Sequence, residues 1–314
     1  MLIAAPASLP ATRSLDQAED FSITTLETVV LLPGITAKTY KKPLTSHHSL
    51  LDISLIFCYR LYNMTTLNRR DVHIELGRWT EGELDKIIRE ASRMEDAGSR
   101  IAFLSGHFLG IPYRESTLIG DSNTPEVFVI NLSGVDCFTF VDYIEAMRLS
   151  DSLDSFRKNL QQVRYRDSVV SYASRKHFFT DWAEYEPASV EDLTEQIGGG
   201  KAKSILKMMN LKEDRTNLLP GINPCQRTIR YIPAENIDSS VLQKLRTGDY
   251  AGIYSPLQGL DISHAGIIIR EKNTVMFRHA SSDRRHRMVV EQDLQEYISG
   301  KPGLIILRPR GFRI

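Results

Sequence analysis

The alternation of apolar and polar residues predicts helices in the stretch that follows Trp79. After Thr80, apolar side chains recur at spacings of three and four residues, at Leu84, Ile87, Ile88, Ala91 and Met94. This spacing places them on one helix face, and threonine is a favoured N-cap, so a helix is predicted to begin at Thr80. The same periodicity predicts helices over residues 101–109, 138–149 and 153–163. In the helix of residues 138–149 we expect Asp142 and Glu145 on the exposed face.

Short apolar runs separated by turn residues dominate the last quarter of the chain. They lie at residues 250–254, 265–269, 275–278 and 304–307. Runs of this length at hairpin spacing are typical of antiparallel strands. Helices followed by a block of strands predict an α+β fold, with the helices packed on a small antiparallel sheet. A long insertion, about 151–240, separates the two parts and is expected to wall a cleft.

The first 75 residues differ in pattern from residues 76–314, and we treat them as an N-terminal extension. Lysines and histidines precede a mostly apolar stretch at residues 49–64, which partly fits a secretory leader, although a convincing cleavage site is missing. The stretch is too short and too charged to span a membrane. A disordered extension, or a true start at Met64, explains it equally well. We expect a periplasmic or secreted protein, with a cytoplasmic location left open.

Composition narrows the classes of partner. The chain of 314 residues has 39 basic and 39 acidic residues, so its formal net charge is zero. Nucleic-acid binding usually requires clustered basic residues, and the densest basic run, residues 284–287, is expected to be a solvated turn. We therefore expect no nucleic-acid partner. We also expect a monomer that needs no cofactor.

One of the three cysteines has the context of a nucleophile. Cys58, Cys137 and Cys225 are too scattered for a disulfide framework, and no Cys-x-x-Cys spacing indicates zinc. Cys137 begins an amphipathic segment, where the positive end of a helix dipole would favour the thiolate. Two histidines recur far downstream in strand-like runs, at His264 and His279. This combination predicts a thiol hydrolase.

Each of the three residues has a predicted role in cleaving an amide. Cys137 is the predicted nucleophile, and its backbone N–H is a predicted donor to the oxyanion. His264 is predicted to take the thiol proton and to deliver it to the leaving amine. His279 follows fifteen residues later on the next strand of a hairpin, so it is placed to contact the other ring nitrogen of His264 and to orient that ring.

Five short motifs, in this order along the chain, resemble those of the NlpC-type papain-like cysteine peptidases and amidases. They are GIPY at 110–113, VDCFTF at 135–140, LRTGDY at 245–250, SHAGIII at 263–269 and FRHASS at 277–282. Two further segments, YRD at 165–167 and RKHFFTDW at 175–182, resemble the N-acetylmuramoyl-L-alanine amidase-like branch. The resemblance covers roughly residues 80 to 314. It implies a papain-like fold with a large insertion after the catalytic helix, and muropeptides or other peptidoglycan fragments as substrate.

The resemblance also implies supporting residues. Tyr113 lies in a matched motif and is a predicted contributor to the oxyanion site, whereas Asn131 is a candidate only because it lies six residues before the cysteine. Asp136 is predicted to shape the turn or to cap the helix. Four residues of the insertion are predicted to contact substrate: Tyr165, Arg175, His177 and Asp181. The last three could equally form an internal ion pair and a helix cap.

Four functions remain open at this point. The branch implies cleavage of the amide between N-acetylmuramic acid and L-alanine. The wider superfamily also includes γ-D-glutamyl to diamino acid endopeptidases. Cys137, His264 and His279 could instead bind zinc, although no compact ligand pair such as His-Glu-x-x-His is present. A module that binds muropeptides without cleaving them is the fourth.

Overall fold

The structure is a computed structural model, and it describes residues 72–272 and 274–311. Strand β1 (Val72–Glu75) pairs in parallel with β2 (Phe128–Asn131). The predicted N-terminal extension of residues 1–75 therefore overlaps a strand at its last four positions. Its other residues, 1–71, lie outside the described residues, and Cys58 is one of them. No helix within the described ranges has the length and apolar character needed to span a bilayer.

Local capping explains where the first helices begin. Helix α1 (Glu81–Ser92) starts after Thr80, whose side chain and Glu83 form a reciprocal capping box. Helix α2 (Ala97–Gly106) starts after Asp96, which accepts a hydrogen bond from the backbone of Ser99. The prediction of α1 is confirmed. The second helix begins and ends a few residues earlier than predicted.

The central helix α3 (Cys137–Arg148) lies between the other helices and the sheet. It is buried on all sides, so the prediction of an exposed face with Asp142 and Glu145 is wrong. Asp142 accepts a hydrogen bond from Arg164 at 2.9 Å, and Glu145 binds Arg148 at 2.6 Å. Because the partners are also buried, the charges are neutralised inside the core. Helix α4 (Leu153–Arg164) packs beside α3.

The described part of the chain contains a sheet of eight strands in the order β4-β5-β10-β6-β7-β8-β9, with β3 paired to β10. The strands are β3 (Val190–Asp192), β4 (Lys203–Met209), β5 (Cys225–Pro233), β6 (Tyr250–Tyr254), β7 (Ile262–Glu271), β8 (Thr274–Ala280), β9 (Val289–Asp293) and β10 (Gly303–Pro309). Short helices join them: α5 (Asp181–Glu184), α6 (Thr194–Gly198), α7 (Ser239–Leu242) and α8 (Leu294–Ile298). Every pair within the sheet is antiparallel.

The insertion contributes more to the sheet than its sequence predicts. Its predicted helix corresponds to α4, but β3, β4 and β5 are also part of it. The β4–β5 hairpin forms one end of the sheet, with β4 as its edge strand. The first four residues of β4 are exposed, so its pattern lacks the buried run that marks β6 or β7. The observed architecture is helices packed on an antiparallel sheet.

Candidate active site

Cys137 is the first residue of α3, and a capping box fixes that start. The Asp136 carboxylate accepts hydrogen bonds from the backbone N–H groups of Phe138, at 3.0 Å, and Thr139, at 2.7 Å. The Thr139 hydroxyl in turn accepts from the Asp136 backbone at 3.0 Å. Asp136 is therefore the helix cap, which is one of the two roles predicted for it. The cap orients the first turn of the helix and with it the thiol.

The surroundings of the thiol oppose its ionisation. Cys137 is half-buried, and burial raises the pKa of the thiol to about 12, with the Asp136 carboxylate adding to the rise. Backbone hydrogen bonds from Ala265, Cys137 and Phe138 act in the other direction but are smaller causes. The expectation that the helix start favours a resting thiolate is therefore wrong. Two N–H groups of the first turn donate to the Asp136 cap, and desolvation is the largest influence on the thiol.

The structure brings Cys137 next to the strand that carries His264. Strand β7 packs against α3, and the backbone N–H of Ala265, the residue after His264, lies close enough to the Cys137 sulfur to favour the thiolate, which lowers the pKa of the thiol in part. Tyr297 of α8 lies beside both: its ring centroid is 6.2 Å from that of His264, and a Cys137 thiolate would raise its pKa. Among the described residues, no hydrogen bond joins the sulfur directly to the His264 ring. The candidate nucleophile thus lies at the start of a helix that packs against the strand carrying the candidate base.

A chain of hydrogen bonds runs across three neighbouring strands from His264. His264 Nε2 lies 2.8 Å from His279 Nδ1, and His279 Nε2 lies 2.9 Å from the Gln292 side-chain oxygen. The first contact is the one that the hairpin spacing predicts, and the catalytic role of His279 stays a prediction. Gln292 was not predicted. It lies on β9, diagonally across from His279, whose cross-strand partner is Val290.

Both imidazoles are neutral near pH 7. Burial lowers the pKa of His264 to about 3, and the neighbouring His279 and Lys301 lower it further. Burial also lowers the pKa of His279 to about 4, although the hydrogen bond with Gln292 opposes this change. A neutral imidazole has one nitrogen with a free lone pair, so His264 is able to accept a proton.

The two predicted oxyanion residues occupy different environments. Tyr113 is half-buried next to Cys137, and burial together with that thiol raises the pKa of its phenol to about 12, so the phenol keeps its proton and remains a donor. The Arg287 guanidinium lies 5.0 Å from its ring centre. The Asn131 side-chain oxygen accepts from the backbone and the hydroxyl of Ser133, at 3.0 and 2.8 Å, and so holds a local turn. Both oxyanion roles stay predictions.

Two of the predicted substrate residues converge on a buried glutamate. The Tyr165 hydroxyl donates to Glu126 at 2.6 Å, and Arg175 donates to both oxygens of the same carboxylate, one of them at 3.0 Å. Arg175 also donates to the carbonyl of Gly120 at 3.2 Å. The Glu126 side chain is 1% exposed. This bidentate pair is the internal ion pair that the sequence left open for Arg175.

The other two predicted substrate residues also have internal partners. Asp181 binds Arg227 at 2.7 Å and accepts from the backbone of Phe178 at 2.9 Å, so it is ion-paired and stabilises the turn before α5, but it does not cap that helix. His177 Nε2 lies 2.8 Å from the carbonyl of Tyr172, and burial lowers the pKa of its ring. Glu126 and Arg227 were not predicted, because each partner lies about fifty residues away along the chain.

A pocket of about 300 Å³ is nevertheless formed by the insertion around these residues. Arg175, His177 and Asp181 line it, together with Arg166 and Tyr185 and with residues 221–225. Tyr165 does not belong to its lining. Phe138, which follows the nucleophile candidate, lies 6.1 Å, centre to centre, from the ring of Trp182, the neighbour of Asp181. This aromatic contact connects the segment that carries Asp181 to the first turn of α3.

The donor atoms do not form a metal centre. Within residues 72–272 and 274–311, no group of three or more His, Cys, Asp or Glu side chains is arranged to hold an ion. Both ring nitrogens of His279 already have hydrogen-bond partners. The arrangement of Cys137, His264 and His279 fits proton transfer to and from sulfur better than it fits zinc binding.

Comparisons with known proteins identify a matching family. The sequence model of the AmiA-like family, described as N-acetylmuramoyl-L-alanine amidase-like, matches residues 103–304, which is more than half of the chain. That range includes Cys137, His264, His279 and Gln292. No curated protein matches the chain.

Solved structures share the fold. A protein from Legionella pneumophila str. Philadelphia 1 is 23% identical with a TM-score of 0.61, covering 73% of this chain and 94% of its own. Two crystal structures of an N-acetylmuramoyl-L-alanine amidase from Bacteroides uniformis ATCC 8492 are 25% and 24% identical, with TM-scores of 0.57 and 0.55. Each covers 68% of this chain and 99% of the bacterial amidase.

Proposed function

The chain belongs to the AmiA-like, N-acetylmuramoyl-L-alanine amidase-like family, and we propose that it uses Cys137 as a nucleophile to cleave the amide between N-acetylmuramic acid and L-alanine in muropeptides. The observation that carries the proposal is the hydrogen-bonded pair of His264 and His279, at 2.8 Å, in which His264 lies on the strand that packs against the helix of Cys137. A neutral base beside a helix-start thiol is the arrangement that thiol acylation requires.

The first step forms a thioester. His264 takes the proton of the Cys137 thiol as the sulfur attacks the amide carbonyl carbon, which gives a tetrahedral oxyanion. The Cys137 N–H and the Tyr113 hydroxyl are the donors we assign to that oxyanion. The carbon–nitrogen bond then breaks, and His264 returns the proton to the departing amine of L-alanine. The muramyl lactyl group stays on the sulfur.

The second step releases the acyl group. His264, now neutral again, takes a proton from water, and the hydroxide attacks the thioester carbon. The carbon–sulfur bond breaks, the sulfur recovers a proton from His264, and the lactyl carboxylate leaves. Because the resting thiol is protonated, proton transfer accompanies the attack and does not precede it. The reaction needs no cofactor and no metal.

The insertion supplies the wall of the cleft in this proposal. Arg175, His177 and Asp181 line its pocket, but their charges are paired with Glu126 or Arg227. A paired arginine keeps donor atoms that can bind a sugar hydroxyl or a peptide carbonyl, while its net charge is neutralised. Tyr165 does not line the pocket but supports Arg175 indirectly, through its hydrogen bond to Glu126. We therefore assign these four residues to shaping the cleft for a polar fragment.

The geometry supports the alternatives less well. Zinc would require a lone pair on His279, whose two nitrogens are both in hydrogen bonds. A module that only binds muropeptides would not need a thiol and a base side by side. A γ-D-glutamyl endopeptidase would use the same chemistry, so it differs only in the bond that fits the cleft.

Fold and location extend the proposal. A cysteine at the start of a helix packed on an antiparallel sheet that carries the histidine supports a papain-like, NlpC-type fold. A wall-derived substrate supports a periplasmic or secreted location, and sequencing the N-terminus of the mature protein would test it. Export with removal of a leader would leave a shortened N-terminus, whereas an intact Met1 would point to the cytoplasm.

Product masses from a defined muropeptide test the function directly. We expect a sugar with a free lactyl carboxylate and a peptide that begins with L-alanine. Cys137→Ala should lower kcat by about 10⁴-fold or more, because it removes the nucleophile. Cys58→Ala removes a thiol that lies outside the matched motifs and serves as the control. Equal rates for wild type and Cys137→Ala would remove Cys137 from the mechanism, and a peptide product that keeps the muramyl group would indicate the endopeptidase.

A further inference from the structure

The hydrogen-bonded chain that starts at His264 ends on a neutral side chain, Gln292 of β9. Its oxygen lies 2.9 Å from His279 Nε2. We propose that Gln292 is a positioning residue that determines which nitrogen of His264 carries the proton, and thereby leaves His264 able to act as the base. The inference rests on the proposed function for its catalytic meaning, and on the geometry of the three side chains for its tautomer assignment.

The assignment begins at the amide oxygen. An amide oxygen only accepts hydrogen bonds, so the His279 nitrogen that faces it, Nε2, must carry a hydrogen. A neutral imidazole has one N–H, and burial lowers the pKa of His279 to about 4, so the ring is neutral near pH 7. His279 Nδ1 is therefore left with a free lone pair.

The second hydrogen bond passes the assignment to His264. His279 Nδ1 is an acceptor, and the atom 2.8 Å from it is His264 Nε2. His264 Nε2 must therefore be the donor. The other nitrogen of that neutral ring, Nδ1, keeps its lone pair and is the atom through which His264 can take the thiol proton. With the amide of Gln292 reversed, every step would invert, and His264 Nδ1 would already carry a hydrogen.

Aromatic packing keeps the His279 ring in one orientation, so its nitrogens stay at the positions used in this tautomer assignment. The His279 ring stacks on Phe277, with centroids 4.8 Å apart and planes 19° apart, and Tyr297 lies 4.8 Å from the same ring. His279 itself is 1% exposed. A 180° flip of the ring, which would put a carbon where each nitrogen now lies, would have to displace these neighbours. The orientation of the Gln292 amide is therefore what sets the proton positions.

Imidazole ¹⁵N NMR of the full-length protein at pH 7 reads the tautomers without any substrate. In the wild type we expect hydrogen on Nε2 of both His264 and His279. Gln292→Met keeps a similar volume but lacks a strong acceptor, so hydrogen should appear on His264 Nδ1 in part of the population. Gln292→Glu restores an oxygen acceptor and should restore the wild-type pattern. Hydrogen on His264 Nδ1 in the wild type would overturn the proposal.

Kinetics on the same variants supply the functional readout. Gln292→Met should lower kcat by about 10- to 100-fold with little change in KM, because substrate contacts are unaltered while fewer molecules hold a competent base. Gln292→Glu should recover most of kcat. The control is Glu291→Gln on the same strand, whose carboxylate binds Arg278 and not a histidine. Equal losses in Glu291→Gln and Gln292→Met would reduce Gln292 to a structural role and overturn the proposal.

The two proposals fail in different ways. Alkylation of Cys137 by iodoacetamide also depends on the base and needs no muropeptide. If no muropeptide is cleaved but Gln292→Met shifts the tautomer and slows alkylation, the proposed function fails and the tautomer assignment stands. If cleavage depends on Cys137 but Gln292→Met changes neither tautomer nor kcat, the assignment fails and the function stands.

Discussion

The histidine strands and the insertion both contain buried polar side chains, but they use them differently. On β7, β8 and β9, the hydrogen-bonded side chains of His264, His279 and Gln292 are uncharged. Among the described residues, Nδ1 of His264 has no hydrogen-bond partner. In the insertion, Arg175 pairs with Glu126 and Asp181 pairs with Arg227. There, charged groups neutralise one another. In the proposed function the first region moves a proton and the second shapes the cleft.

This difference teaches what a motif match conveys. A motif identifies residues that occur together: in the structure His264 contacts His279, and Arg175, His177 and Asp181 line one pocket. It does not say which atoms remain free after folding. His264 keeps an uncommitted ring nitrogen because its partner is a neutral imidazole, whereas the carboxylate of Asp181 is bound on both oxygens. A residue type alone does not distinguish a reacting group from a supporting one. The distinction depends on whether an atom of the side chain remains without a hydrogen-bond partner.

The largest expected effect is on stability, and it tests the supporting role of the insertion. Asp181→Asn leaves the Arg227 guanidinium, whose side chain is 6% exposed, without its counter-charge. We expect the free energy of unfolding, measured by urea denaturation, to fall by about 3 kcal/mol. Glu195→Gln is the matched control, because its ion pair with Arg230 is exposed, at 71% and 41%, and should contribute less than about 1 kcal/mol.

The kinetic outcome of the same variant sharpens the comparison. If Asp181 only supports the cleft, the folded Asp181→Asn protein should keep kcat within a few-fold of wild type. Unchanged stability combined with a markedly raised KM would contradict this view and return Asp181 to direct substrate binding. The insertion would then resemble the histidine strands in function.

Local signals explain which elements could be predicted from the sequence. The helix of Glu81–Ser92 has its cap and its apolar face within one window of residues, and the motif around Cys137 places the start of α3 correctly. Strand β9 was missed because Val289–Asp293 has only two apolar residues before it turns polar. Because β9 was not predicted, Gln292 was missed as well. Its contact with His279 can be recognised only when the cross-strand register is known. Glu126 and Arg227 were missed for a similar reason, since their partners are distant in sequence.

The second effect is on the pH profile of the reaction, and it tests the uncharged state of the histidine strands. Burial lowers the pKa of His264 to about 3, so the base stays neutral well below pH 5. We expect kcat/KM of the folded enzyme at pH 5 to stay within a few-fold of its value at pH 7. A histidine with its ordinary pKa of 6.5 would lose about 25-fold over that range. An acid limb centred near pH 6.5 would therefore contradict the assignment.

Between pH 7 and pH 5, the free energy of unfolding should decrease even though kcat/KM stays nearly constant. The pKa values of His264 and His279 are lower in the folded protein than the ordinary 6.5, so the unfolded chain binds more protons between about pH 6.5 and pH 4. These two rings therefore lower the free energy of unfolding as the pH falls through this window. Urea denaturation at pH 7 and pH 5 checks the sign. A protein that becomes more stable on acidification would show that these two rings are not the dominant titrating groups.

The smallest expected effect concerns the charge nearest the histidine strands. Lys301 lowers the pKa of both His264 and His279, and its ammonium lies 5.4 Å from the ring centre of Tyr297. Lys301→Gln removes that charge, so the pKa of each histidine should rise and the acid limb of kcat/KM should move upward. Because Lys301 is exposed, water and salt screen it, and we expect roughly half a pH unit at low ionic strength and less at high salt. Lys212→Gln, whose ammonium pairs with Asp214, is the control and should leave the limb in place. An equal shift in both variants would indicate an effect of the net charge of the protein. A shift confined to Lys301→Gln would show that the nearby ammonium helps to keep His264 and His279 uncharged, whereas the charged groups of the insertion neutralise one another.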